Sequence, residues 1–273
     1  MAADLRSLWN FGDPAGSEAR FREHLEGAEG EFRLELLTQI ARAQGLQRNF
    51  EAAHATLDTL PPLPDRPTTR WETYALLERG RTLNSACRKD EAGPLFDRAA
   101  ETPIDDLRID AIHMQAIVAE PDQALRLNEQ AIREAQASTD PAARRWLGSL
   151  LNNTAWSYHD LGQFERALEL FQDALNFRLA QGDAETIRIA KWSVARCLRS
   201  LGRIDDALAI QRELASQGDD GFVDEEVAEC LLAKGDSEAA KPHFARAHAS
   251  LSQDPWLSEK EPERLARLDR LAR

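Results

Sequence analysis

Between residues 151 and 176 the apolar positions fall on one helical face, stop, and then do so again. Leu151, Ala155, Tyr158 and Leu161 recur at the spacing of an α-helix. Gly162 follows, and glycine adopts the left-handed conformation of a helix stop at no steric cost. From Phe164 a second run sets Ala167, Leu170, Phe171, Ala174 and Leu175 on its inner side. Small residues at 155, 167 and 174 let two antiparallel helices approach closely, and Tyr158 and Phe171 fill the space between them. The pattern predicts a helical hairpin, a unit that cannot bury its apolar faces alone and needs neighbours of its own kind.

Neighbours are present in the pattern. Ala195, Leu198, Gly202, Ile204, Ala207 and Leu214 repeat it, as do Ala228, Leu231, Gly235, Ala240, Phe244 and Ala247. Upstream, Ala41, Gly45, Phe50, Ala53, Leu57 and Leu60 match with two extra residues in the turn. Gly80, Leu83, Ala92, Phe96 and Ala99 match with Cys87 in the place of the turn glycine. A weaker copy has Ala111, Met114, Ala124 and Ala131, its first helix shortened by Glu120-Pro121. The alanines near the start of each second helix, Ala53, Ala92, Ala124, Ala167, Ala207 and Ala240, recur at intervals of roughly 32 to 43 residues, a repeat-array spacing. Six hairpins are expected over residues 33–252.

The flanks read as caps. Residues 1–32, with Leu8-Trp9-Asn10-Phe11 and then Ser17 to Phe21, form an N-terminal cap; residues 253–273 form a C-terminal capping helix with Leu265, Leu268 and Leu271 on one side. Residues 59–69, rich in proline, are a stiff connector between the first two hairpins rather than a ligand for a polyproline-binding domain. Asp140-Pro141 predicts a helix start, with an acidic N-cap and proline at the first helical position.

The tandem pattern resembles the tetratricopeptide repeat family, in particular its longer-helix bacterial-type variants. In the clearest copy Leu151 stands in the place of the family's tryptophan, Thr154-Ala155 in the Leu-Gly place and Tyr158 in the tyrosine place. Ala167, Phe171 and Ala174 supply the second-helix signature, and Leu179 replaces the closing proline. The resemblance implies an all-α fold, a right-handed α-solenoid of about six hairpins between terminal caps. It also implies that the first helices line a concave groove that binds a segment of another protein.

Composition narrows the partners. The 273 residues carry a net charge of −13, which repels nucleic acid and anionic membrane. No membrane-length apolar run or signal peptide is evident. Cys87, Cys197 and Cys230 lie in separate helical segments, an odd set that suits reduced thiols and a cytoplasmic location.

Projection of the first helices places Thr38 and Arg42, then Leu77, Arg81 and Asn84, then Arg108 and Gln115, in the groove. The later hairpins add Asn152, Trp156 and His159, then Trp192, Arg196 and Arg199, while many acids fall on second helices and connectors. Arginine forks suit carboxylates, asparagine bonds a peptide backbone through donor and acceptor, and indoles give rigid apolar area. The peptide-binding candidates are therefore Arg42, Arg81, Asn84, Arg108, Asn152, Trp156, Trp192, Arg196 and Arg199. Each has a structural alternative: an arginine stem packing on its neighbours, an indole wedged between hairpins. The basic clamp by which some family members hold a terminal carboxylate is not matched.

An enzyme finds little support. His243 and His248 miss the spacing of two ligands on one helical face, and the glycines sit singly at turns rather than in a nucleotide-binding loop. No cofactor or metal is expected. The reading is a non-enzymatic interaction scaffold for a protein or peptide with acidic groups. The alternatives are a sensory receptor for a small ligand or signalling peptide, or a module that self-associates through Trp9, Phe11 or the terminal helix.

Overall fold

The computed structural model describes residues 5–273, so the first four residues of the expected N-terminal cap lie outside it. All regular elements among the described residues are helical. The chain divides between Leu150 and Leu151 into two compact units.

Unit 1 opens with a 3-10 turn, Leu5–Leu8, and α1 (Pro14–Leu25), whose Pro14 follows the N-cap Asp13. Three hairpins follow: α2 (Gly30–Leu46) with α3 (Phe50–Asp58), α4 (Arg70–Ser85) with α5 (Lys89–Ala100), and α6 (Asp105–Val118) with α7 (Pro121–Ala137). The first helices α2, α4 and α6 lie side by side, α1 packs on α2, and α8 (Pro141–Arg144) packs on α6. Asp140 caps α8 by accepting from the Ala142 amide, so the expected helix start is present. The helix breaks after one turn, and α9 (Leu147–Asp160) begins beyond Trp146. The boundary between the units falls inside α9.

Unit 2 continues with α10 (Phe164–Gln181), then α11 (Ala184–Ser200) with α12 (Ile204–Ala215), and α13 (Gly221–Ala233) with α14 (Ser237–Leu251). Two closing helices follow, α15 (Pro255–Lys260) and α16 (Pro262–Leu271). The latter lies on α14 with Leu265 and Leu268 buried. The expected array start at residue 33 falls inside α2, and its end falls just beyond α14.

One turn joins five of the hairpins. Arg48, Cys87, Gly162, Gly202 and Gly235 each sit two residues before the second helix with φ between 62° and 82°. In each, the next amide reaches back to a carbonyl of the last helical turn, as from Asn49 to Gln44 (2.9 Å) and from Gln163 to Tyr158 (2.9 Å), a Schellman-type stop. The left-handed residue of the first hairpin is thus Arg48; Gly45 is helical. Its extra turn residues are an ordinary turn displaced from where a glycine marked it.

The core repeats as the sequence does. Phe96, Phe171 and Phe244 are fully buried between the flanking alanines Ala92 and Ala99, Ala167 and Ala174, and Ala240 and Ala247. In two hairpins the same central position holds an amide: Gln211, four residues after Ala207, and Asn128, four after Ala124. Leu161, expected on the inner face, is instead 53% exposed at the turn.

Candidate binding surfaces on the first helices

In unit 1 three first-helix arginines, Arg42, Arg70 and Arg81, each reach a carboxylate on the next first helix. Arg42 of α2 pairs with Glu78 of α4 at 3.3 Å. Arg81 of α4 pairs with Glu78 on its own helix and with Asp110 of α6. Arg70 grips Asp106 through both terminal nitrogens, at 2.8 and 3.0 Å, and Arg6 stands 3.9 Å from the same carboxylate. Glu78, Asp106 and Asp110 are all buried. Burial works against the Arg81 guanidinium, but Asp110 and Glu78 outweigh it and hold its pKa above the ordinary arginine value.

Acids are therefore not confined to second helices and connectors. Charged groups buried without partners cost several kcal/mol, so these pairs are mutual requirements of stacking. An incoming carboxylate must compete with an internal one for Arg42 or Arg81.

Above this layer lies a cavity of 390 Å³. Its walls are aromatic: Trp9 and Phe11 from the N-terminal segment, Tyr74 of α4, and Trp146 between α8 and α9. Trp9 stacks on Phe11 with ring centroids 4.8 Å apart and donates its indole N–H to Gln39 Oε1 at 2.9 Å. The Arg42 guanidinium lies over both rings, at 5.6 and 5.4 Å. Exposed Arg145 lines the same cavity and forms no ion pair among the described residues. Asn84 joins Arg42 and Arg81 around a separate cavity of 240 Å³.

Arg108 sits apart from both cavities. It turns toward its own hairpin's second helix, bonding Glu134 at 2.8 Å and Asp105 at 2.9 Å. Gln115 likewise bonds Asp97 of α5, and Thr38 and Leu77 are fully buried. The α6 residues that line the larger cavity are Asp106, Leu107 and Asp110, a different strip of that helix from Arg108.

In unit 2 an aromatic row crosses successive first helices. Trp156 meets Phe171 edge-on at 4.9 Å and His159 at 5.1 Å, and lies 6.0 Å from Trp192. The Trp192 indole N–H donates to the Phe222 carbonyl at 3.3 Å. Asn152 accepts weakly from Ser193 and donates to Asn153, both at 3.4 Å. Arg196 and Arg199 converge on Glu226, at 3.1 and 2.7 Å, and Arg264 and Arg267 of α16 take Glu225 and Glu229. Asn152, Trp156, Trp192, Arg196 and Arg199 are thus neighbours, with both indoles half-buried. Burial lowers the His159 pKa, and nearby Arg196 lowers it further.

Sequence reasoning missed Tyr74, Arg145, Trp146 and Phe222. For Trp146 a signal existed: Ala142, Arg145, Trp146 and Ser149 recur at helical spacing after the Asp140 cap.

Residues 148–249 match the family model described as tetratrico peptide repeat. No curated protein matches the chain. Among solved structures it is similar to a tetratricopeptide repeat protein from Parabacteroides merdae, at 14% identity and a TM-score of 0.54, over 98% of this chain and 96% of that one. The apo form of RapI is similar at 11% identity and a TM-score of 0.72, over 92% of this chain and 76% of that one. NprR in complex with its cognate peptide NprX is similar at 14% identity and a TM-score of 0.51, over 98% and 81%. The fold is that of the tetratricopeptide-repeat proteins, and residues 148–249 match that family's repeat model.

Proposed function

We propose that this chain is a non-enzymatic interaction module that holds a segment of another protein against its first helices. The observation that carries the reading is the unit 1 cavity of 390 Å³, which four aromatic rings and Arg145 line, Arg145 having no carboxylate partner among the described residues. Aromatic walls, half-buried at Trp9, Tyr74 and Trp146 and exposed at Phe11, above an internally neutralised charged layer favour a bulky apolar side chain, and Arg145 favours an acidic residue beside it. The fold it shares with NprR, a protein solved with a cognate peptide, supports a peptide as the ligand class. Within unit 2, Asn152 and Trp156 offer amide and indole contacts of a kind that suits the same ligand class.

Crosslinking pull-down with the wild-type chain, followed by Arg145→Glu and Trp146→Ala variants, tests this. Each substitution weakens capture of the same partner by about tenfold or more, the usual loss at an interface anchor. Equal capture by wild type and both variants removes the cavity as the site.

The receptor reading is favoured by the same likeness to NprR. It requires that a bound peptide change the compaction of the chain in solution scattering; a saturating peptide with no such change leaves the scaffold reading alone.

A further inference from the structure

Unit 2 holds a second groove of opposite electrostatic sign. It is formed by the N-terminal ends of α11 and α13 and by the end of α14 with the turn that follows, and its volume is 620 Å³. The size suits a short segment with bulky side chains. Its apolar surface comes from Ile189, Trp192, Phe222 and Leu251, and Ile189 and Phe222 are 49% and 39% exposed. Singly exposed apolar residues are ordinary, but a contiguous set within one groove marks an interaction surface.

The rim is acidic. Glu185, Asp219, Asp220 and Asp254 line it against a single cation, Arg188. Asp220 already pairs with Arg188 at 2.6 Å and caps α13 through the Phe222 amide at 2.8 Å, while Asp254 caps α15 through the Trp256 amide. Asp219 is exposed and Glu185 bonds Arg188 only at 3.4 Å, so both are open to a cation from outside. The groove is closely packed at its base. A Cβ on Gly221 would stand 2.9 Å from Leu251 Cγ and from Ser250, so α13 starts in direct contact with the end of α14.

We infer that this groove docks a basic segment of a partner protein, with apolar anchors set on Ile189, Trp192 and Phe222 and flanking Lys or Arg side chains set against Asp219 and Glu185. The inference goes beyond the unit 1 site, which favours an acidic neighbour. A partner that used both surfaces would carry charges of opposite sign along its length.

Fluorescence anisotropy of the full chain with two labelled synthetic peptides tests the inference, one alternating Leu and Phe with Lys, the other identical but with Glu in place of Lys. The basic peptide binds and the acidic one does not. A Glu185→Lys/Asp219→Lys variant weakens the basic peptide by about tenfold or more, as loss of a complementary rim and its anchoring field requires. Ile189→Asp weakens it comparably. Charge reversal on an outer helix, Glu169→Lys/Asp173→Lys, leaves binding unchanged. Equal binding of the two peptides overturns the inference, and so does equal weakening by the outer-helix variant, which reports attraction to the net charge alone. The Arg145 and Trp146 variants leave this binding unaltered, so the two sites fail or stand separately.

Discussion

At the scale of single residues, the repeat is most informative where it is broken. Gln211 occupies the central position that Phe96, Phe171 and Phe244 hold in other hairpins, and it is fully buried. Neither its amide oxygen nor its amide nitrogen has a hydrogen-bond partner among the described residues. A buried polar group left unpaired costs about 1–3 kcal/mol, so Gln211→Leu raises stability by about that amount, read as a higher urea midpoint with unchanged slope. An unchanged or lower midpoint means that an ordered water satisfies the amide. The signal was in the sequence, since the position lies four residues after an anchor alanine. Amides are common in helices, though, and only the packing shows that this one faces inward.

At the scale of elements, close helix approach is set by small residues seven positions before each left-handed turn residue. Ala41, Ala155, Ala195 and Ala228 occupy that place and are fully buried. Gly80 occupies it in the second hairpin, where a Cβ would fall 2.4 Å from Phe96 Cε1. Alanine, the residue the other copies use, is therefore wrong here. Gly80→Ala destabilises by about 1–3 kcal/mol despite its better helix propensity, because overpacking outweighs the gain of about 1 kcal/mol from replacing glycine in a helix. Thermal unfolding decides the sign. Hairpin pairing was legible from periodicity, but the α4–α5 spacing depends on how far the Phe96 ring reaches across.

Across the whole chain, titration links stability to pH through half-buried imidazoles. The His54 and His159 pKa values are lowered chiefly by burial, with nearby arginines adding to the effect, and burial lowers that of His113 against the opposing pull of Asp110 and Asn128. A lowered folded-state pKa means that the unfolded chain takes up protons first as pH falls. Stability from these groups is complete above about pH 6.5, the unfolded histidine value, and is lost as pH drops below it toward the folded values. Glu35, whose pKa is raised by burial, acts with the opposite sign above the ordinary glutamate range. Urea midpoints measured from pH 7.5 down to pH 5 therefore decline, and His113→Gln declines less steeply than wild type. Parallel profiles for the two proteins would exclude His113 as a contributor. No helix among the described residues is long and apolar enough to cross a membrane.

The sequence by itself determined the hairpins, because helix period, small residues at crossings and turn residues are local properties that each repeat states again. It located Asn152, Trp156, Trp192, Arg196 and Arg199 on adjoining first helices. It did not determine which charges remain available. Arg42 and Arg81 are matched to Glu78 and Asp110 across hairpins some thirty residues apart, and Arg108 is turned to Glu134 by a helix rotation that periodicity resolves only to a fraction of a turn. Pairing depends on distances between helices, and those are set by how the hairpins stack. The tertiary structure alone left Arg145 without an ion pair among the described residues beside four aromatic rings, and gave the unit 2 groove its acidic rim.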